Sequence, residues 1–461
     1  MYVCGPTVYS DVHLGNCRTF TSFDIIFRFL QHLGYKVRYV RNITDVEDKI
    51  SKKARLDQLE PMEVVQKYSN GFQNMMNIFN VLPPSIEPRA TGHIMEQIDM
   101  IQRILDRGMA YEKNGSVYFD TPQYIANKHN YGELSGRVIE DLLQESRDDL
   151  KGQDEKNHPS DFALWIKAQP SHLMRWQSPW SIGFPGWHLE CSAMSTKYLG
   201  AHFDIHGGGT DLKFPHHENE IAQNVGSCGQ TPAKYWLHTN MLLLNGKKMS
   251  KSDDNSVNPH ELFSGSSKHF SKGFSPMVIR FFMLQAHYRS TLDLTDDALL
   301  AAEKGYKRLM EANKLIDTLA PENKGALSPL DEEIAALLDG AMTDMCDDFN
   351  TPKALAKLFE VATKINGLHG RQLKADLLSI STLEKIREFF RPLLFDIFGL
   401  KDDTGEQDQE LADGLMNLII DLRKDARAAK DWDTADKIRD VLTALSVQLK
   451  DGKDGTSWTK N

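Results

Sequence analysis

An imidazole and a carboxylate four positions apart share one face of a helix, and His216 and Glu220 are so placed in His216-His217-Glu218-Asn219-Glu220-Ile221-Ala222-Gln223. That pair is half of a metal site. It is not the His-Glu-x-x-His pattern of a metallopeptidase, because Ile221 stands four residues after His217. Two ligands do not hold zinc, so others must converge, and Cys4 and Cys191, each beside a strand or helix end, are the candidates. Two thiols, an imidazole and a carboxylate form a soft tetrahedral set that favours zinc. The alternative is that both cysteines are small buried hydrophobes.

Two further stretches carry phosphate chemistry. In His13-Leu14-Gly15-Asn16 the glycine lets a base or ribose approach the backbone, while His13 and Asn16 can donate to phosphate oxygens at a helix N-terminus. The plainer alternative is a capped helix start with a surface histidine. In Lys247-Lys248-Met249-Ser250-Lys251-Ser252, lysines on a loop after an Asn245-Gly246 turn can follow charge as it builds on a leaving pyrophosphate. Alone, the same loop reads as a solvated basic segment.

Positioning these groups requires an open parallel sheet. Tyr2-Val3-Cys4 is a short apolar strand, and Thr19 to Leu30 has helical period and stops at Gly34. Lys36 to Ile43 then reads as a second strand. Such a βαβ unit makes the strands parallel, with ligands beyond their carboxyl ends. The polar cluster after the second strand, Asn42 to Asp48, falls at such an end, or is a capped helix start with acids in its first turn. Helical patterns fill 62–79 and 91–107, and Ser116 to Phe119 is a strand. From about 120 to 178 the pattern is irregular and includes the charged run 144–156, which reads as an insertion between two halves of the sheet. Order returns at Pro185, with a helix to Tyr198, a strand over 202–206, a tight turn at Gly207-Gly208-Gly209, and a helix beginning at Pro215. The remainder is helical: 298–319, 331–341, 352–368, 383–398 and 409–426. The last segment interleaves Arg423, Arg427, Lys430, Lys437 and Arg439 with Trp432, which suits unstacked RNA bases, or equally a solvated helix face with Trp432 packed inside.

At 461 residues, with 41% hydrophobic and 26% charged content, the chain has the make-up of a globular protein of about three domains. No run reaches the length of a membrane span, and no secretory signal is visible at the N-terminus. Five cysteines in so long a chain argue against a disulfide framework and for a reducing compartment, the cytoplasm. The net charge of −10 does not advertise nucleic-acid binding, but phosphate contacts need only local basic stripes.

Together, His13-Leu14-Gly15-Asn16 and Lys248-Met249-Ser250-Lys251-Ser252 resemble the two signatures of class I aminoacyl-tRNA synthetases. The second matches in full; the first carries Asn16 where the family has histidine. Met1 to Tyr9, Pro185 to Met194 and His202 to Glu220 resemble the cysteinyl-tRNA synthetase family, and the likeness runs to Ala426-Arg427-Ala428-Ala429-Lys430-Asp431-Trp432. The family carries a segment before the stretch matching Tyr2, which implies a shortened start here, and Asp253-Asp254-Asn255 replaces its usual Leu-Gly-Asn.

The resemblance implies an α/β fold: a Rossmann-like parallel-sheet catalytic domain with an inserted connective region, an α-helical bundle and a small C-terminal anticodon-binding domain. The expected division is 1–119 and 185–252 for the two catalytic halves, 120–184 for the insertion and 253–300 for a stem-contact linker. The tRNA-binding bundle would then span 301–405 and the anticodon domain 406–461. It implies one zinc per subunit on Cys4, Cys191, His216 and Glu220, and ATP with magnesium across His13, Gly15 and Asn16. Lys248 and Lys251 would stabilise the leaving pyrophosphate. Trp187, His188 and His206 are expected to wall the amino-acid pocket, with Thr44 and Asp211 holding the ammonium or carboxylate. The implied partners are L-cysteine, ATP and tRNA(Cys), with a monomer expected. A metal that grips sulfur rejects serine and alanine without editing, so the insertion should not be an editing domain. Two rivals remain: a cysteine ligase acting on a small amino sugar, which would lack the long helical tail, and a non-catalytic RNA-binding paralogue, which would have lost signature residues.

Overall fold

A computed structural model describes residues 1–137, 155–249, 255–445, 447–452 and 455–460. Its organising element is a four-stranded parallel sheet in the order Val40–Arg41, Tyr2–Val3, Phe203–Gly209, Ala233–Thr239. The second strand is shorter than its sequence pattern, because Tyr35, Lys36 and Arg38 are exposed and the chain becomes buried only from Tyr39. Between the first two strands runs the helix Leu14–His32, whose Phe20, Phe23 and Phe27 are buried at helical spacing.

The three glycines expected to form a turn instead end the third strand. Their absence of side chain serves packing: a Cβ on Gly207 would lie 2.2 Å from the Phe23 ring of the N-terminal helix. That helix can therefore lie flat on the sheet only over a glycine.

The stretch read as irregular also differs. A five-stranded antiparallel sheet orders Ala110–Lys113, Ser116–Phe119, Phe162–Lys167, Ile182–Pro185 and Trp176–Gln177. The central strand hides Leu164 and Trp165 side by side, so the alternation that betrays a half-buried strand is missing. The charged run 144–156 falls mostly outside the described residues.

Two helices complete the site. Trp187–Leu199 ends at Gly200, and Glu218–Cys228 follows a kinked turn, Lys213–His217, with a cis Phe214–Pro215 bond. Beyond the sheet, Leu242–Leu244 pairs with Lys247–Lys248 across the Asn245–Gly246 turn and with Leu292–Leu294 on its other side. The long helices Asp296–Leu315, Pro329–Cys346, Thr351–His369 and Ile380–Arg391 share one apolar core with the N-terminal helix.

Residues 402–461 form a separate unit. It has helices Thr404–Ala428 and Trp432–Ala444 and the hairpin Val447–Gly452 with Gly455–Lys460. Its small core joins Met416, Leu442 and Val447, with Trp458 against them. Trp432 is 57% exposed, so it is not the packed residue of the plainer reading.

Candidate functional site

Strand and helix ends bring Cys4, Cys191, His216 and Glu220 to one point, with one donor atom from each within 4.8 Å of all the others. Cys4 follows the first strand, where its N–H donates to Gly207 O at 3.0 Å. Gly5 behind it must be glycine, since a Cβ there would fall 1.6 Å from Asn42 O. Cys191 lies in the first turns of its helix, and His216 and Glu220 face inward one turn apart. The Sγ atoms are 3.6 Å apart, Cys4 Sγ is 3.5 Å from Glu220 Oε1, and His216 Nε2 is 3.1 Å from the same oxygen. All four side chains are buried.

The charges in this point are unbalanced in a telling way. The single Cys4 thiol proton faces a sulfur, a carboxylate oxygen and His217 Nε2 at 3.4 Å. Burial pushes the Cys4 thiol up. Burial also acts on Cys191, but the hydrogen bond from Cys4 and the nearby His216 outweigh it and bring this thiol down to about 6. Burial lowers His216, yet the Cys191 thiolate and the Glu220 carboxylate raise it to about 10. Glu220 resists its own burial and is held well below the usual carboxylate range, chiefly by His206. A buried thiolate and carboxylate that draw protons onto a neighbouring imidazole are groups that a cation would satisfy.

A second set, Cys4, His206, His217 and Glu220, overlaps the first. Its distances are uneven: His206 Nε2 lies 2.8 Å from Glu220 Oε2, a hydrogen bond, whereas His217 Nε2 is 4.0 Å from Glu220 Oε1. His206 therefore orients Glu220 through its other oxygen. Asn42, from the polar cluster after the second strand, joins the site, and so do His217, His238 and Glu190, which no motif marks as site residues. His217 Nδ1 meets His238 Nε2 at 2.8 Å, and burial, then the neighbouring His206, Lys213 and Arg289, lower His238 to about 4. The Cys191 thiol faces Asn42 Oδ1 at 3.7 Å, and Asn42 Nδ2 donates to Thr44 Oγ1 at 3.2 Å. Glu190 is wholly buried beside Thr44; burial, then Cys191 and Asp45, push its carboxyl well above the usual range. His217 could have been found, since it lies three residues before Glu220 on the same helical face; the others carry no spacing signal.

Of the other singled-out residues, Trp187 and His188 lie against this point. His188 Nδ1 is 3.0 Å from His216 Nδ1, and the Trp187 ring, 41% exposed, sits 4.5 Å from that of His216. Thr44 is buried and bridges to Thr7, whereas Asp211 is exposed on the turn Thr210–Leu212 after the third strand. At the N-terminus of the first helix, Asn16 N–H donates to His13 Nδ1 at 3.3 Å and His13 N–H to Asn16 Oδ1 at 3.5 Å, a reciprocal cap. Gly15 lies between them, within the first turn. Lys248 is exposed at the end of its strand, where its carbonyl accepts from Asn255 Nδ2 at 3.1 Å; Lys251 lies outside the described residues.

A family described as the tRNA synthetases class I (C) catalytic domain matches residues 1–304, and a DALR domain matches 341–401. The chain is 53% identical to cysteine–tRNA ligase of Bacteroides thetaiotaomicron over all of its own length and 94% of that protein. The chain belongs to the cysteine–tRNA ligase family. A cysteine–tRNA ligase of Porphyromonas gingivalis is 51% identical over the same shares. Among solved structures, methionyl-tRNA synthetase of Mycobacterium tuberculosis in complex with methionyl-adenylate has a TM-score of 0.62 at 15% identity, covering 88% of this chain and 92% of that one. That likeness concerns the class I fold. No helix among the described residues is long and apolar enough to cross a membrane.

Proposed function

We propose that this cysteine–tRNA ligase family member activates L-cysteine with ATP to cysteinyl adenylate and transfers it to the 3′ end of tRNA(Cys). The observation that carries the substrate choice is the convergence of Cys4, Cys191, His216 and Glu220. Zinc bonds of about 2.3 Å to sulfur and 2.0–2.1 Å to nitrogen or oxygen imply ligand–ligand edges of roughly 3.3–3.8 Å. The 3.6 and 3.5 Å separations fall within that range and the 3.1 Å His216–Glu220 pair lies just below it, whereas the second set runs from 2.8 to 4.0 Å. A zinc ion bound there supplies a soft centre for the substrate thiolate, which a hydroxyl or methyl cannot match. His206 holds Glu220 in place, and Trp187 and His188 wall the pocket over His216. Thr44 and Asp211 take the ammonium or carboxylate of cysteine.

His13, Gly15 and Asn16 seat the ATP at the positive end of the first helix. The cysteine carboxylate attacks the α-phosphorus and pyrophosphate departs; Lys248 and Lys251 balance its charge, to which a magnesium ion would add when bound. The ribose hydroxyl of the tRNA terminus then attacks the adenylate carbonyl and AMP leaves. No side chain needs to become covalently attached; positioning and electrostatics suffice. The unit from Asp402 onward, with Trp432 exposed among basic residues, is assigned the anticodon. Pyrophosphate exchange dependent on cysteine, followed by transfer to tRNA(Cys), tests this reading; exchange with transfer only to an amino sugar would favour the rival ligase.

A further inference from the structure

Arg18 is a buried cation two positions after the His13–Asn16 motif, and no ion pair involves it among the described residues. Its guanidinium instead donates to backbone carbonyls of two distant segments. Nη1 reaches Asn240 O at 3.0 Å and Met241 O at 2.6 Å; Nη2 reaches His287 O at 3.4 Å and also Ser290 O. Each segment leads directly into a strand of the small sheet that carries Lys248: Asn240–Met241 into Leu242–Leu244, and His287–Ser290 into Leu292–Leu294. The two segments are also bound to each other, through Asn240 N–H to Tyr288 O at 2.8 Å and Leu292 N–H to Met241 O at 3.1 Å. Thr19, the next residue, adds a hydroxyl contact of 3.0 Å to Thr239 at the end of the fourth parallel strand.

Burying a guanidinium with no carboxylate partner costs stability, and burial lowers Arg18 only to about 10, so it stays charged. An apolar side chain would pack there at less cost. What only the planar fork provides is a simultaneous grip on both segments in fixed directions.

We propose that Arg18 is the positioning residue that sets the lysine-signature hairpin at a fixed distance from the nucleotide seat. The helix that presents His13 and Asn16 is thereby clasped to the strands that present Lys248, so both ends of a triphosphate meet preset groups. The inference rests on the adenylation reading above. It makes Arg18 act through Lys248, not on substrate directly.

The test is a cycle of Arg18→Lys, Lys248→Ala and the double variant, assayed by cysteine-dependent ATP–pyrophosphate exchange in the full chain. Lysine keeps the charge but cannot grip both segments. A displacement of about 1 Å in a catalytic group costs roughly 10²-fold, so Arg18→Lys is expected to lower kcat by that order. Zinc content and KM for cysteine should stay within about two-fold of wild type. The double variant should be no slower than Lys248→Ala alone. Full kcat in Arg18→Lys, a joint fall of kcat, cysteine affinity and zinc content, or effects that multiply in the double variant would each overturn the inference. If Arg18→Lys does not fold, Thr239→Val, which loosens the same junction, gives the second arm: a kcat loss removed by Lys248→Ala supports the clasp, and an unchanged kcat or a loss that persists overturns it. A wild-type chain inactive in exchange would instead overturn the adenylation reading, and the clasp with it.

Discussion

The sulfurs of Cys4 and Cys191 stand 3.6 Å apart although 187 positions separate them. One comes from the end of the first parallel strand and the other from a helix that packs behind the third. Only the folded sheet joins them, and Glu220 closes the group from another helix. A cluster of this make-up, with no exposed member, brings together the donor atoms of a metal site.

Glu220→Gln removes the carboxylate charge while keeping the size of the side chain. Most bound zinc should be lost, and discrimination of cysteine against serine should fall by orders of magnitude with it, from the roughly 10⁴–10⁵ expected of a site that needs no editing. Elemental analysis paired with exchange assays on both amino acids checks this. Full zinc occupancy with unchanged selectivity would remove Glu220 from the ligand set.

Lys251→Ala tests the loop signature. Loss of one group that stabilises developing charge should slow adenylate formation by roughly 10²–10³-fold. Cysteine binding should persist, because the thiol site is separate. Unchanged pyrophosphate exchange would exclude Lys251 from the chemistry.

Asp331 in the helical region gives a stability prediction with a defined pH window. Its carboxylate accepts from Ser328 N–H and Ser379 N–H at 2.9 Å each and from Ser379 Oγ at 3.0 Å. Burial opposes ionisation, but these bonds prevail and lower the group from 3.8 to about 2. A value depressed on folding stabilises above the unfolded pKa and is lost as pH falls through the folded one. Asp331→Asn should therefore cost roughly 2 kcal/mol at pH 7, and the gap from wild type should close between about pH 4 and 2. Urea unfolding across that range reads it; a gap that persists undiminished in acid would contradict the assignment.

Much of this was legible from residue order. The βαβ start and the His216–Glu220 spacing follow from local rules, Cys4 and Cys191 are candidates from their places beside strand and helix ends, and the family likeness joins the four into one expected ligand set. The unreadable parts have physical causes. Leu164 and Trp165 are buried together, which erases strand alternation. The glycines at 207–209 look like a turn until Phe23 is seen lying on one of them. Arg18 looks like a solvent-facing helix residue, because its acceptors are backbone atoms over 220 positions away. Glu190 enters the site through burial beside Thr44 that no spacing encodes.

Recognition of the substrate's sulfur by a bound metal is tested most directly by cobalt(II) substitution. Titrating the cobalt-loaded chain with L-cysteine should raise thiolate-to-metal charge-transfer absorption beyond that of the protein's own cysteines, while L-serine should leave the spectrum unchanged. A chain that takes up cobalt and gives the same spectrum with both amino acids, or one that takes up no cobalt, would contradict it.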